Sequence, residues 1–231
     1  MLAFEASTSC LSVAVTVGAH DVVLVERDAR VGQAADLIPM AVQAMADAGL
    51  GFDRITHVAA GCGPGSFTGI RVALAAAKGV SLAQALPGLG VSGLEALAFA
   101  DLSIVTGRHR LCLADTRRGS LYAQVFNGDA VAVSDIFEAS PDELPLRLPA
   151  SLKGEPMLVL GHGAADLLPV FERHGWHGSD LAPSAVTALS NGVDAGMIAR
   201  LALHRLNAGV TSPLQPLYLA DPRLGPKKTA R

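Results

Sequence analysis

The sequence is poor in aromatic residues and in charge. Only 4% of its 231 residues are aromatic, with one Trp and two Tyr, and 17% are charged. Few rings are available to stack on bases, and a net charge of −3 lacks the basic excess from which a stand-alone nucleic-acid binder draws its affinity. The composition disfavours such a binder, although a subunit of an RNA-modifying complex could share it.

Cysteines and long hydrophobic runs are also scarce. The three cysteines are odd in number and far apart, which excludes a disulfide framework and favours a reducing compartment; they are Cys10, Cys62 and Cys112. The best candidate for a membrane span, residues 72–91, contains Lys78 and Pro87. The opening residues 1–5 have no basic region before their apolar stretch, unlike a signal peptide. We therefore expect a cytoplasmic protein without a membrane-spanning segment.

Small and apolar residues are abundant instead. The chain has 39 Ala and 24 Gly, and its AVILMFWYC fraction is 50%. Such a composition supplies a core and excludes disorder as the main state. At roughly 150 residues per domain, the length fits one large domain or two small ones. Small side chains also allow helices and loops to approach one another closely.

The first half is predicted to follow the order β-β-β-α-β-α-β-α. Alternating and 3.6-residue hydrophobic patterns indicate these elements. The predicted strands are 2–4, 11–17, 21–27, 55–60 and 89–91, and the predicted helices are about 33–48, about 68–86 and 92–99. Ser92 is predicted to cap the third helix, with Glu95 completing a capping box.

The second half reads as a less regular copy of the first. The predicted strands are 111–115, 121–126, 130–136 and 157–160, and the last clear helix is 195–207. We therefore predict an N-terminal domain over residues 1–104 and a smaller, degenerate C-terminal domain over 105–222. The basic tail, 223–231, is either a frayed end or a contact for RNA or a partner.

A glycine-rich loop, residues 61–71, is the strongest local motif. It joins a predicted strand to a helix N-terminus, where backbone N–H groups and the helix dipole suit an anion. The loop matches neither a Walker loop nor GxGxxG nor GxSxG, so a purely structural turn remains an equal alternative. Arg71 would meet a phosphate or a partner carboxylate, or lie exposed. A nucleophilic Cys62 with His57 as its base is disfavoured.

Two further polar segments are candidate sites. Residues 5–9 place Glu5 and three hydroxyls after the first strand, where nucleotide-binding folds can hold metal and phosphate. The predicted hairpin 115–119 could orient arginines toward a ligand or partner. The sequence does not place Glu5 and Asp115 together, and the pair His174 and His177 is a weak candidate for a metal site.

Taken together, the element order, its repetition and the GPGSFTGIR string at 63–71 resemble the TsaB (YeaZ) family. The resemblance covers nearly the whole chain; further matching segments are LIPM at 37–40, VSGLEAL at 91–97, the 115–122 hairpin and PLYL at 216–219. It implies an α/β fold of two actin-like (ASKHA, ribonuclease-H-like) domains of β-β-β-α-β-α type. Family members bind the catalytic subunit TsaD, and the ATPase TsaE joins at their interface.

The resemblance also implies a function. The complex transfers threonylcarbamoyl to N6 of adenosine 37 in tRNAs that read ANN codons. A TsaB-type chain has no catalytic or metal-binding residues and no cofactor of its own, since ATP and Mg²⁺ are used by the partner subunits. It meets tRNA indirectly through the complex, and without its partner it can form a homodimer.

Two sets of residues are predicted to carry this role. The docking surface would come from the two N-terminal helices, at Leu37, Met40, Ala41, Ala44, Met45, Ala48, Ile70, Ala73, Ala76, Ala77 and Val80. Nucleotide or partner contacts would come from the loop and the hairpin, at Gly63, Pro64, Gly65, Ser66, Phe67, Thr68, Gly69, Arg71, Asp115 and Arg117.

Three positions depart from the family pattern. Glu5 stands where Asp is common, Gln33 where His is frequent, and Ser120 where Glu is usual. The competing hypothesis is an ATPase or phosphotransferase of the actin-like class. Its site would be lined by Glu5, Ser7, Gly63, Gly65 and Asp115.

Overall fold

Two five-stranded sheets with the same strand pattern form the molecule. The computed structural model describes residues 1–18, 21–28, 35–100, 107–176, 181–183, 192–217 and 219. The first sheet consists of β1 (Leu2–Glu5), β2 (Cys10–Val17), β3 (Asp21–Asp28), β4 (Val58–Gly61) and β5 (Gly88–Val91). Its order is β3-β2-β1-β4-β5, with β1 to β3 antiparallel and β4 and β5 parallel to β1.

The second sheet repeats this arrangement. It consists of β6 (His109–Asp115), β7 (Leu121–Phe126), β8 (Phe137–Ala139), β9 (Met157–Gly161) and β10 (Leu181–Pro183), in the order β10-β9-β6-β7-β8. β6 to β8 are antiparallel, and β9 and β10 run parallel to β6. The predicted actin-like two-lobed α/β fold is thereby confirmed.

Six α-helices accompany the sheets in the described parts of the chain. They are α1 (Leu37–Asp47), α2 (Phe67–Ala83), α3 (Gly93–Ala100), α4 (Leu144–Arg147), α5 (Leu168–Arg173) and α6 (Ala195–Asn207), with short 3₁₀ turns at Phe52–Arg54, Ala150–Leu152 and Ala165–Leu167. In these parts, no helix is long and apolar enough to cross a membrane. Gln33, the interval 101–106 and the tail 223–231, which figure in the predictions above, lie outside the described residues.

The helices and sheets stack in five layers. Leu11, Val13 and Val15 of β2 face one side, where α1 and α2 pack, whereas Ala14 faces the other side. α4 and α5 cover the outer face of the second sheet. Between the two sheets lie α3 and α6, whose apolar side chains share one core with residues from both sheets.

α6 packs on the first sheet, against β1 to β5 and α3. The predicted boundary between 1–104 and 105–222 stays a prediction, although α6, which belongs to the second range, adds its apolar face to the core that lies against the first sheet. An ion pair at 2.9 Å between Glu95 and Arg205 joins α3 to α6. Because Glu95 is used in this way and Ser92 Oγ has no hydrogen-bond partner among the described residues, the predicted capping box is also wrong.

Candidate functional site

A cleft lies between the lobes, at the carboxyl ends of parallel strands from both sheets. Ligands bind at this end of open α/β sheets. The cleft has a volume of about 450 Å³ including its open mouth. Its walls come from the segments that follow β1, β4, β6 and β9 and from the approach to α6; the lining includes Ser7, Thr8, Ser9, Pro64, Gly65, Leu97, Asp115, Arg117, His162 and Val193.

The glycine-rich loop is packed tightly onto the turn between β1 and β2. The backbone N–H of Ser66 donates to Ser7 O at 2.9 Å. A Cβ atom at Gly65 would lie 2.7 Å from Ser7 O, and one at Gly69 would overlap Ala6 O. Glycine is required at these positions because the two backbones touch, so the contact itself accounts for much of the glycine content of the motif.

The start of α2 is capped from within the chain. Ser66 Oγ accepts a hydrogen bond from Gly69 N at 3.2 Å, as an N-cap residue does. Phe67, Thr68 and Arg71 are exposed outside the cleft, and the Arg71 guanidinium lies 3.8 Å from the centroid of the Phe67 ring. Of the predicted loop residues, only Pro64 and Gly65 are part of the cleft wall, and Gly63 is buried.

Glu5 is buried beneath the cleft and is not part of its wall. Its side chain is 0% exposed. Oε1 accepts a hydrogen bond from Ser7 N, and Oε2 has no hydrogen-bond partner within the described residues. Burial raises the pKa of Glu5, and hydrogen bonds from Ser7 and Ala6 oppose this rise only in part. The hypothesis that Glu5 lines a nucleotide site is therefore wrong for this structure.

Asp115 and Arg117 do line the cleft, where they pair with each other. Asp115 Oδ1 accepts a hydrogen bond from Arg117 N at 2.8 Å, and Oδ2 lies 3.5 Å from Arg117 Nε. The same Oδ2 lies 3.9 Å from His162 Nε2. His162 had no predicted role, because only the fold brings the end of β9 beside the end of β6.

Ser120 takes part in a hydrogen-bond cluster with a residue from the next strand. Its hydroxyl donates to the carboxylate of Glu138 on β8. The same carboxylate forms an ion pair with Arg118 at 3.1 Å, and Arg118 also donates to Tyr122 Oη at 3.3 Å. An acid is thus present at this hairpin although Ser occupies the position where Glu is usual in the family. Glu138 was not predicted as part of this cluster, because the third strand was expected at 130–136 and β8 lies at Phe137–Ala139.

Cys62 is unsuited to nucleophilic catalysis. Burial, reinforced by the nearby negative charge of Glu5, raises its pKa to about 12, so the thiol stays protonated at neutral pH. No cluster of three His, Cys, Asp or Glu side chains suited to a metal ion occurs in the described ranges. His177, which forms the weak candidate metal site together with His174, lies outside the described residues.

Most of the predicted docking residues belong to the core of the first lobe. Eight of them are at most 5% exposed and pack between the helices and the first sheet: Leu37, Met40, Ala41, Ala44, Met45, Ile70, Ala73 and Ala77. Assigning these eight to a partner surface is wrong, because the apolar stripe of each helix faces its own sheet. Ala48, Ala76 and Val80 are partly exposed.

The outward sides of α1 and α2 carry other apolar side chains. Ile38 and Val42 on α1 are 46% and 53% exposed, and Phe67 and Leu82 on α2 are 50% and 85% exposed. Ile38 and Val42 are four residues apart, so they lie on one side of α1.

The repeated β-β-β-α-β pattern, with the cleft between its two copies, defines a two-lobed protein of the actin-like (ASKHA) class. A sequence profile of the family described as "TsaD: tRNA N6-adenosine threonylcarbamoyltransferase" matches residues 28–170, more than half of the chain. The chain belongs to this family, in which its named relatives are TsaB (YeaZ) proteins.

Individual relatives support this assignment. The tRNA threonylcarbamoyladenosine biosynthesis protein TsaB of Haemophilus influenzae is 31% identical over 53% of this chain and 51% of its own length, so the match spans about half of that relative. An uncharacterised protein of Mycobacterium tuberculosis is 30% identical over 98% of this chain and 94% of its own. The structure of YeaZ from Pseudomonas aeruginosa has a TM-score of 0.75 at 23% identity, covering 94% and 98% of the two chains, which shows a shared fold.

Proposed function

We propose that this protein is a non-catalytic subunit in the biosynthesis of tRNA threonylcarbamoyladenosine. It binds TsaD, with TsaE joining the assembly, and so supports transfer of threonylcarbamoyl to N6 of adenosine 37 in tRNAs that read ANN codons. The pathway is suggested by its TsaB relatives, which are tRNA threonylcarbamoyladenosine biosynthesis proteins. In this proposal ATP and Mg²⁺ serve the partner subunits, and tRNA is met through the complex.

The observation that carries the non-catalytic role is the packing at the cleft floor. The carboxylate of Glu5 is enclosed beneath the turn that the glycine-rich loop covers. The loop N–H of Ser66 and the first-turn N–H of Gly69 already have acceptors inside the chain. A phosphate would have to displace these contacts before it could bind those two N–H groups. Asp115 and Arg117, which line the cleft with opposite charges, form an ion pair with each other.

The outward sides of α1 and α2 supply the docking surface in this proposal. We call Ile38, Val42, Phe67 and Leu82 the docking face. Exposed apolar side chains of this size favour contact with another protein, because water is released when they are covered. The same face would pair two copies of the chain when TsaD is absent.

The test is to reconstitute the reaction. Formation of threonylcarbamoyladenosine on tRNA would be measured with TsaD, TsaE and the enzyme that supplies the threonylcarbamoyl adenylate, with and without this chain. We expect product only when the chain is present, and no ATP hydrolysis by the chain alone. Product without the chain would refute the proposal. ATP hydrolysis by the isolated chain that disappears in Glu5→Ala would favour the competing phosphotransferase hypothesis.

A further inference from the structure

The segment that follows α6 wraps around the edge of the first sheet. α6 packs on the inner face of this sheet, and residues 212–217, which we call the strap, then lie along the edge strand β5. Gly90 N donates to Ser212 O at 3.1 Å, and Ser212 Oγ donates to Gly90 O. Leu217 N donates to Cys62 O at 2.8 Å. The strap thereby satisfies backbone groups on an edge that would otherwise be open.

β5 has glycine at the two positions where the strap lies closest. A Cβ atom at Gly88 would overlap the Leu214 side chain, and one at Gly90 would overlap Pro213 O. Neither residue has a positive φ, so the glycines are needed for space and not for backbone conformation. Glycine in a strand costs stability, which makes close approach of another segment the physical reason for its presence here.

The strap contacts residues that lie beside α2 at both ends of that helix. Leu214 packs against the core between the first sheet and α1 and α2. Leu214 lies beside Gly88, and Gly88 in turn lies near Ser81, whose hydroxyl donates a hydrogen bond to Leu86 O at 2.6 Å where α2 ends. At the other end, Leu217 N donates its hydrogen bond to Cys62 O. The next residue, Gly63, lies against the side chain of Ile70 in the first turn of α2.

We infer that the strap positions α2 for partner binding, with Ser212 and Leu214 as positioning residues. The inference rests on the proposed docking face, because α2 carries Phe67 and Leu82. A helix held in place before binding loses less conformational freedom on association, so a seated strap increases affinity without touching the partner. Loosening the strap would let α2 move and weaken docking.

The first test uses the isolated protein and needs no partner. Amide hydrogen exchange would be compared for wild type, Leu214→Ala and the matched control Leu146→Ala, since Leu146 is 69% exposed on α4 in the other lobe. We expect the amides of α2 to exchange about tenfold faster in Leu214→Ala, with those of α5 unchanged, because local opening follows loss of local packing. Wild-type exchange in α2 would overturn the inference.

The second test measures affinity for TsaD by titration calorimetry. Leu214→Ala is expected to bind about tenfold more weakly than wild type, whereas Leu146→Ala binds as wild type does and Leu214→Met recovers most of the affinity. If Leu214→Ala does not fold, Ser212→Ala replaces it, since it removes only the hydroxyl contact to Gly90. Faster exchange in α2 with undiminished affinity would overturn the positioning role. Failure of wild type to bind TsaD would refute the proposed function, and the exchange experiment would still decide whether the strap holds α2.

Discussion

At the scale of single residues, Glu5 and Gly61 together close the floor of the cleft. Glu5 extends from the end of β1 so that its Oε2 lies against Gly61 at the end of β4. The carboxylate is buried, and Oε1 is already engaged by Ser7 N. Glutamate at this position therefore fills the space between the two strand ends, and the neighbouring strand can accept it only with glycine at position 61.

Gly61→Ala is expected to destabilise the protein by about 1–3 kcal/mol, as overpacking of a buried site does. The added Cβ would overlap Glu5 Oε2, the end of a side chain that is fully buried. Urea unfolding measures the effect, with Gly79→Ala as the matched control, because no atom lies within 4 Å of a Cβ at Gly79 on α2. Equal stability of the two variants would contradict this account of the cleft floor.

Glu5 also makes stability depend on pH. Its pKa lies above the ordinary 4.5 because burial disfavours the carboxylate. Between pH 4.5 and the folded-state pKa, the folded protein therefore keeps this proton whereas the unfolded chain loses it. The contribution of Glu5 to the free energy of unfolding is fully present below pH 4.5 and is lost as the pH rises through the folded-state pKa. Glu5→Gln has no such proton, so we expect its advantage over wild type in urea unfolding to grow as pH increases. A constant difference between pH 4 and 8 would show that Glu5 is not titrating in this way.

At the scale of elements, α1 shows what a hydrophobic pattern can and cannot reveal. The spacing of Met40, Ala41 and Ala44 correctly predicted an amphipathic helix, and the sheet core confirms its apolar side. The pattern does not reveal which protein covers that side. Here the protein's own sheet covers it, and the docking face must be sought among the exposed residues between the stripe positions.

Because one side of α1 is buried and the other is exposed, a new carboxylate should affect stability very differently at two nearby positions on this helix. Ala44→Glu would place a carboxylate at a site that is 0% exposed, so we expect loss of several kcal/mol or failure to fold. Val42→Glu lies at a 53% exposed site and should stay within about 0.5 kcal/mol of wild type. Thermal unfolding followed by circular dichroism checks both. A stable Ala44→Glu would mean that α1 packs differently.

Local side-chain hydrogen bonds explain why the third strand of the second lobe was predicted in the wrong place. Val131 and Val133 alternate with smaller residues, which favours a strand, yet they are 59% and 48% exposed. Asn127 Oδ1 accepts hydrogen bonds from Asp129 N and Val131 N, which holds residues 127–131 in a turn, and the pairing that follows is a single antiparallel bridge between Ala132 and Phe126. β8 consequently starts only at Phe137, and Glu138 reaches Ser120 from there.

At the scale of the whole molecule, the sequence predicted two similar lobes but not the way they are joined. The apolar pattern of 195–207 matches α6 in extent. Nothing in that pattern tells which sheet the helix covers, because both sheets offer small apolar side chains, such as Ala14 and Cys112. The cleft could not be predicted from the sequence either, because Asp115, Arg117 and His162 meet the β1–β2 turn only through the packing of the lobes.

The shared middle layer predicts that both lobes unfold together. The one tryptophan, Trp176, is buried in the core of the second lobe and reports on that lobe alone. Leu37→Ala removes a buried side chain from the outer core of the first lobe and should cost about 2–5 kcal/mol. We expect the urea midpoint seen by Trp176 fluorescence to fall together with that seen by far-ultraviolet circular dichroism. An unchanged fluorescence midpoint would show that the lobes unfold independently.

The proposed docking of the α1 and α2 face onto TsaD is measured by titrating TsaD with three forms of the chain. These are wild type, Val42→Glu on the docking face, and Leu146→Glu, which places the same charge at an exposed site on the other lobe. We expect equal binding by wild type and Leu146→Glu, and at least about tenfold weaker binding by Val42→Glu. Equal affinity of all three, or a loss confined to Leu146→Glu, would contradict the proposed docking.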